Sequence, residues 1–265
     1  MTKTAVILCG GKGTRLGAIG KKAPKTLLNV KGKPIIWFIL NNLIKYKFNK
    51  IILPLGYKGE EIKKYVEKNF DFHGIDIIFK KTGLNSQITK RIKLIQNLIN
   101  DDSFLLINGD CISNCNIQNL INEHYKKKYD ITLTSFPYIS PYGLIRIRQN
   151  KIISFCKDQY FESINLIGDE KALINGGITI INKVCLSKFK MNINEDFEIS
   201  LFSKLAKQNR AHVIKYRYFW FTVESEKDIK FLINKKNENH IILKKISKLK
   251  YDLLKIRQNF KKKKL

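Results

Sequence analysis

The chain has 265 residues, 44% hydrophobic and 11% aromatic, which suits one sizeable core with at most a small appendage and excludes a disordered chain. Fifty Lys and Arg against 22 Asp and Glu give a formal net charge of +28, which favours anionic partners such as nucleotides, nucleic acid or an acidic membrane surface. No apolar run reaches the roughly 18 residues of a membrane span, and no basic-then-apolar leader precedes the first strand, so the expected location is the cytoplasm.

Apolar runs alternate with amphipathic patterns from the start of the chain. The spacing predicts strands over 4–9, 50–55, 75–79, 103–107 and 130–136, and helices over 34–47, 58–69, 88–100 and 116–128. Such alternation implies an α/β fold with a mostly parallel, Rossmann-like central sheet and helices on both faces. Between 143 and 183 short strand-like runs dominate, Leu144–Ile147, Lys151–Phe155 and Ile178–Ile181, read as a small β-rich portion that binds an acceptor. A helix over 196–208 and a strand over 212–217 follow, then Phe219-Trp220-Phe221, and beyond 225 the pattern is helical to the end.

Residues 1–232 thus read as one domain and 233–265 as a basic helical tail. In the tail Ile242, Ile246, Leu249, Leu253, Ile256 and Phe260 recur at spacings of four and three, an apolar stripe suited to docking on the domain or on a second copy of the chain. Residues 234–265 hold 12 Lys or Arg against Glu238 and Asp252, a net of +10, so contact with an anionic membrane surface is the alternative use of this helix. Five cysteines, at 9, 111, 115, 156 and 185, argue for free thiols in a chain without a secretion signal. Cys111 and Cys115 lack the further pair or nearby histidine that a zinc site needs.

The chemistry is concentrated near the start. The run Ala5–Leu8 leads into Cys9-Gly10-Gly11-Lys12-Gly13-Thr14-Arg15, with Pro24-Lys25 ten residues on. Glycines after a strand leave backbone N–H groups free to converge on a phosphate, and Arg15 and Lys25 add a forked and a mobile cation. The loop matches neither GxxxxGK[ST] nor the third glycine of the dinucleotide fingerprint. Phe104–Asp110 is a strand ending in a carboxylate at the edge where such sheets bind ligands. Triphosphate chemistry needs a divalent cation, held by one or two carboxylates and the phosphates, so Asp110 is the first candidate ligand for Mg²⁺.

GGxGTR followed by PK resembles the opening of the nucleotidyltransferases that join a nucleoside triphosphate to a sugar 1-phosphate. Gly32-Lys33-Pro34-Ile35-Ile36-Trp37, Leu55-Gly56-Tyr57-Lys58-Gly59 and Thr82-Gly83-Leu84-Asn85-Ser86-Gln87 are similar to segments of its cytidylyltransferase branch. Where that branch continues T-G-G-R, this chain has Ile88-Thr89-Lys90-Arg91. Late in the chain the branch reads FWQPMDT, and Phe219-Trp220-Phe221-Thr222-Val223-Glu224-Ser225 places Glu224 at the Asp position. Asn175-Gly176-Gly177 is similar to the family's acceptor loop, and Cys156-Lys157-Asp158 stands where E-K-P is usual.

The resemblance implies the following roles. Asp110 and Glu224 would hold Mg²⁺. Cys9, Gly10, Gly11, Gly13, Thr14, Arg15, Thr82, Gly83, Arg91 and Asn108 would bind the nucleotide, Arg15 and Lys25 would act on its phosphates, and Lys157, Asn175 and Gly176 would bind the acceptor. The expected reaction is in-line attack of an acceptor phosphate on the α-phosphorus of CTP, with pyrophosphate leaving. GTP with a hexose or heptose 1-phosphate, and CTP with a non-sugar phosphate such as phosphocholine or a phosphorylated amino acid, remain open. So does a silent fold that binds polyanions. Nucleic acid is not the expected partner; a homo-oligomer is compatible with the pattern.

Overall fold

A computed structural model describes residues 2–72, 74–139, 144–156, 160–161, 163–165, 170–189, 191–234, 237–238 and 240–262. The first strand, β1 (Thr4–Leu8), is buried on both faces, and after Thr4 its sequence is accordingly an unbroken apolar run. A 3₁₀ turn (Thr14–Leu16), α1 (Gly17–Lys22) and a hairpin of β2 (Asn29–Val30) with β3 (Lys33–Pro34) lead into α2 (Ile35–Lys45). The alternation continues through β4 (Lys50–Leu55), α3 (Gly59–Asn69), β5 (Asp76–Lys81), α4 (Ile88–Ile95) and β6 (Ser103–Asn108). In α3, Ile62 and Val66 face the core while Glu60 and Glu61 complement the positive end of the helix dipole.

Then come β7 (Cys111–Ser113), α5 (Ile117–Lys127) and β8 (Ile131–Ser135); the Asn116 side chain caps α5 by accepting from the Asn119 N–H at 3.1 Å. Short strands follow: β9 (Tyr138–Ile139), β10 (Leu144–Arg148), β11 (Lys151–Cys156), β12 (Tyr160–Phe161), β13 (Ile164–Asn165) and β14 (Lys171–Ala172). The rest comprises β15 (Asn175–Asn182), α6 (Val184–Lys188), a π-helical turn (Glu198–Ser203) running into α7 (Lys204–Lys207), β16 (Ala211–Lys215), β17 (Trp220–Thr222), α8 (Glu226–Ile233) and α9 (Ile241–Lys262).

The main sheet has seven strands in the order β16-β8-β15-β6-β1-β4-β5. Neighbours are parallel except at β15, which runs antiparallel to both β6 and β8. Helices cover both faces: Ala5 and Ile7 of β1 pack with α2, α3, α5, α8 and α9, while Val6 packs with α4, α6 and α7. Ile178–Ile181, expected in the acceptor portion, lie instead within this sheet. Six of the eight residues of β15 are buried, because it is covered on both faces. The β-rich portion is therefore only the two-stranded ladders β9·β12, β10·β11 and β13·β14.

The helix expected from 225 onward is interrupted. Asn234 turns extended (φ −72°, ψ 117°) and ends α8, and α9 starts again at Ile241. Ile242, Leu243, Ile246, Leu249 and Leu253 of α9 are buried in the core that holds Trp37, so the tail docks on this chain. The side chain of Phe260 lies outside the described residues. Cys9, Cys111, Cys115 and Cys185 are buried free thiols; the Cys156 side chain is outside the described set. Among the described residues no helix is long and apolar enough to cross a membrane.

Candidate active site

β1 and β6 lie side by side with Leu8 opposite Asn108, and the chain leaves β1 toward β4 and β5 on one side and returns to β6 on the other. Such a reversal opens a crevice beyond the carboxyl ends of the strands. The loop after β1 and the loop after β6 both enter it, tied by the Gly109 N–H donating to the Leu8 carbonyl at 3.0 Å. The resulting cleft, of about 500 Å³, is lined by the glycine loop, Thr14, Arg15, Lys25, Asn108, Asp110, Glu224 and, from the turn before α4, Ser86 and Gln87. Gly13 sits at φ +62°, a left-handed conformation in which a side chain is strained, and it starts the turn that carries Arg15.

Charge converges at the mouth of this cleft. The Lys25 ammonium lies 2.7 Å from Asp110 Oδ2 and 3.4 Å from Glu224 Oε2, and the Arg15 guanidinium is 3.4 Å from the same Glu224 oxygen. Residues so far apart in the chain meet because β7 pairs with β17, Cys111 opposite Thr222, and the Val223 N–H donates to the Asp110 carbonyl at 3.2 Å. Asp228 fixes the next turn by accepting from the N–H groups of Glu224 and Ser225 at 2.9 and 2.8 Å, a capping box at the start of α8. Glu226 points the other way and accepts from the Ala18 N–H at 3.2 Å. Of the three acids between 224 and 228, Glu224 is the one at the cleft.

The remaining expected residues divide. Gly10, Gly11, Gly13, Thr14 and Asn108 line the cleft. Cys9 does so as a neutral wall: its thiol is buried near the Pro54 carbonyl, and burial pushes its pKa to about 12 against the pull of Arg91. Arg91 lines the cleft from beneath the loop, its side chain mostly buried and donating to the Gly10 carbonyl at 2.9 Å and to Thr82 Oγ1 at 2.5 Å. Burial lowers its pKa, yet a guanidinium stays charged at neutral pH. It runs between Gly10 and Gly56, where a Cβ would come within 2.3 and 2.4 Å of it. Thr82 reaches the cleft only through Arg91, and Gly83 borders a neighbouring hollow with Gly56, Lys58 and Leu84.

Of the residues expected to bind the acceptor, Asn175 donates to Glu198 Oε1 at 3.2 Å and accepts from the Gly177 N–H at 3.1 Å, while the Gly176 carbonyl accepts from Trp220 Nε1 at 2.8 Å. Trp220 belongs to β17, so the ladder that carries Glu224 toward the cleft also holds this loop. Burial, and then Asp196, raise the Glu198 pKa, and the Asn175 bond opposes them. Lys157 lies outside the described residues.

The model of the nucleotidyl transferase family matches residues 4–159. The chain belongs to that family. It is 30% identical over 244 residues to a probable glucose-1-phosphate cytidylyltransferase of Bacillus subtilis, covering 85% of this chain and 92% of that one. It is 29% identical to a D-glycero-alpha-D-manno-heptose 1-phosphate guanylyltransferase of Campylobacter jejuni, covering 87% of this chain and 99% of that one. The structure of HddC from Yersinia pseudotuberculosis superposes with a TM-score of 0.64 at 21% identity, over 86% of this chain and 96% of that one, a likeness of fold.

Three features of this nucleotidyltransferase escaped the reading of its sequence. Ser86 and Gln87 line the cleft, whereas the resemblance gives a role only to Thr82 and Gly83 of that segment. Trp220 links the two halves of the site. Glu198 holds Asn175, and its signal was available: Glu195, Asp196 and Glu198 form an acidic group in a chain of net charge +28.

Proposed function

We propose that this nucleotidyltransferase moves CMP from CTP onto the phosphate of a sugar 1-phosphate, releasing pyrophosphate, in the cytoplasm where nucleoside triphosphates are made. The observation that carries the reading is Lys25, whose ammonium stands within 3.4 Å of both Asp110 and Glu224 at the mouth of the glycine-loop cleft. CTP is favoured over other triphosphates by the likeness to the cytidylyltransferase of Bacillus subtilis.

Asp110 and Glu224 are hard oxygen donors, and among the described residues no group of three or more His, Cys, Asp or Glu forms a metal cluster. That donor set fits Mg²⁺, which takes one or two carboxylates and completes its shell with water and substrate phosphates. Bound there, the ion would offset charge on the phosphate oxygens. The chain's own residues do the rest. Arg15 and the amides of the glycine loop receive the pyrophosphate that leaves, and Lys25 can turn from Asp110 to the transferring phosphoryl group. Asn175 offers an amide to a sugar hydroxyl, and Lys157 a cation to the acceptor phosphate. A phosphate monoester is already an adequate nucleophile at neutral pH, so positioning and charge compensation suffice.

A second reading, GTP with a heptose 1-phosphate, is favoured by the Campylobacter jejuni relative. Pyrophosphate release, measured for four triphosphates against sugar 1-phosphates and non-sugar phosphates, separates the two. CTP with a hexose 1-phosphate should turn over fastest. Preference for GTP, or for phosphocholine, would replace this reading, and no release from any pair would leave a binding protein.

A further inference from the structure

Among the described side chains of α9, cations differ in what they meet. Those on its flanks are tied to the domain: the Lys250 ammonium donates to the Lys31 carbonyl at 2.7 Å, and Arg257 donates to the Asn69 carbonyl and lies 4.8 Å over the Phe70 ring. Those on the outward side, Lys244, Lys248 and Lys255, are exposed and fall in one row with exposed Tyr251, spaced by four, three and four residues. Within the row the Lys255 ammonium lies 4.5 Å over the Tyr251 ring, and Asp252, the one acid of the helix, is exposed beside it, four residues from Lys248 and three from Lys255; residues 234–265 as a whole carry a net +10 of the chain's +28.

What this row can meet is limited by what α9 has already buried. Its apolar side, Ile242 to Leu253, is packed into the core, so no apolar stripe is left to enter a bilayer. Its outward cations are lysines, compact and strongly hydrated point charges that attract an anionic surface diffusely rather than gripping single phosphates in the fixed fork of an arginine. A straight row from Lys244 to Lys255, about 17 Å at 1.5 Å per residue, suits a flat anionic surface.

We propose that the outward face of α9 holds this enzyme against anionic lipid headgroups, by charge alone and without insertion. Each lysine close to such a surface contributes about 1 kcal/mol at low salt, so replacing three should cost about a hundred-fold in partition.

The test uses the full chain in sedimentation with vesicles of phosphatidylcholine alone and of phosphatidylcholine mixed with phosphatidylglycerol. Binding is expected only to the mixed vesicles, with release as salt is raised past the point where the Debye length falls to a few ångströms. The triple variant Lys244→Gln, Lys248→Gln, Lys255→Gln should lose about a hundred-fold of that binding while melting temperature and pyrophosphate release stay as in the parent. Equal binding to neutral vesicles, or binding that persists in high salt, would mean that α9 peels off and inserts, and would overturn the proposal. So would a triple variant that binds like the parent, or tighter binding to duplex RNA than to the anionic vesicles.

Discussion

The side of the site proposed to hold the nucleotide and the side proposed to take the acceptor are built to different standards of rigidity. On the first, the glycine loop and Asp110 extend from two adjacent buried strands, are joined by the Gly109–Leu8 bond, and are braced from below by Arg91. On the second, β15 alone belongs to the main sheet; β9 to β14 form two-stranded ladders, and Ile145, Ile147 and Phe155 of one ladder are about 60% exposed. Two-stranded ladders are marginal by themselves in water. The contrast teaches that precision lies where charge has to be placed, and latitude where an acceptor has to be chosen.

Removing charge from the braced side should do the most damage. Asp110→Ala and Lys25→Ala are each expected to lower turnover about a thousand-fold, since the proposed reaction rests on charge compensation in a cleft rather than on a nucleophile of the protein. Both variants should melt within a few degrees of the parent, because neither side chain belongs to the hydrophobic core. Steady-state pyrophosphate release and a thermal melt decide it. Near-parent turnover in either would break the comparison at its strong end.

Glu224 is the intermediate case. Its carboxylate reaches the same ammonium as Asp110, but from a half-exposed position on a turn fixed by Asp228 rather than from the end of a buried strand. Glu224→Gln should cost about a hundred-fold in turnover and raise the metal concentration needed for half-maximal rate. A cost equal to that of Asp110→Ala would place both carboxylates on the same footing. No change in the metal requirement would remove Glu224 from that role.

Asn175→Ala sharpens the comparison from the acceptor side. Loss of one amide contact to a bound sugar should raise the acceptor KM about ten-fold and leave the triphosphate KM unchanged. Because Asn175 also holds Glu198, the paired variant Glu198→Gln tells the two uses apart. It keeps the amide at 175, so it should move the acceptor KM less. If either variant moves the triphosphate KM instead, the two sides are not separate.

How much of this was legible in the sequence follows the same division. The strand, glycine loop and Asp110 could be read because each is local: a buried apolar run ends at the sheet edge where the polar residues begin. Bringing Glu224 beside Asp110 could be expected only from the resemblance. The strands that do it, Cys111–Ser113 and Trp220–Thr222, are three residues each, too short for periodicity to register, and more than a hundred residues apart. β15 was misplaced because a fully buried strand looks the same in sequence whether it runs parallel or antiparallel to its neighbours. The break at Asn234 left no glycine or proline to mark it, and the brace that Arg91 forms beneath the loop could not be read because it depends on Gly10 and Gly56, both distant in the chain.

That last pairing gives the smallest effect on rate and the finest probe of the brace. Gly56 has an ordinary backbone conformation, since it is absent from the residues with positive φ, so an added methyl is resisted only by what it touches. It would lie 2.4 Å from the Arg91 guanidinium and 2.4 Å from the Gly10 carbonyl, the two partners of the bond that holds the loop. A side chain can yield; the Gly10 carbonyl cannot do so without moving the phosphate loop. Gly56→Ala should therefore destabilise the fold by about 1–3 kcal/mol in urea unfolding. It should also raise the triphosphate KM a few-fold and leave the acceptor KM alone. Destabilisation with a parent-like triphosphate KM would mean that Arg91 braces the core but not the loop, and the rigidity of the nucleotide side would then rest on its two strands.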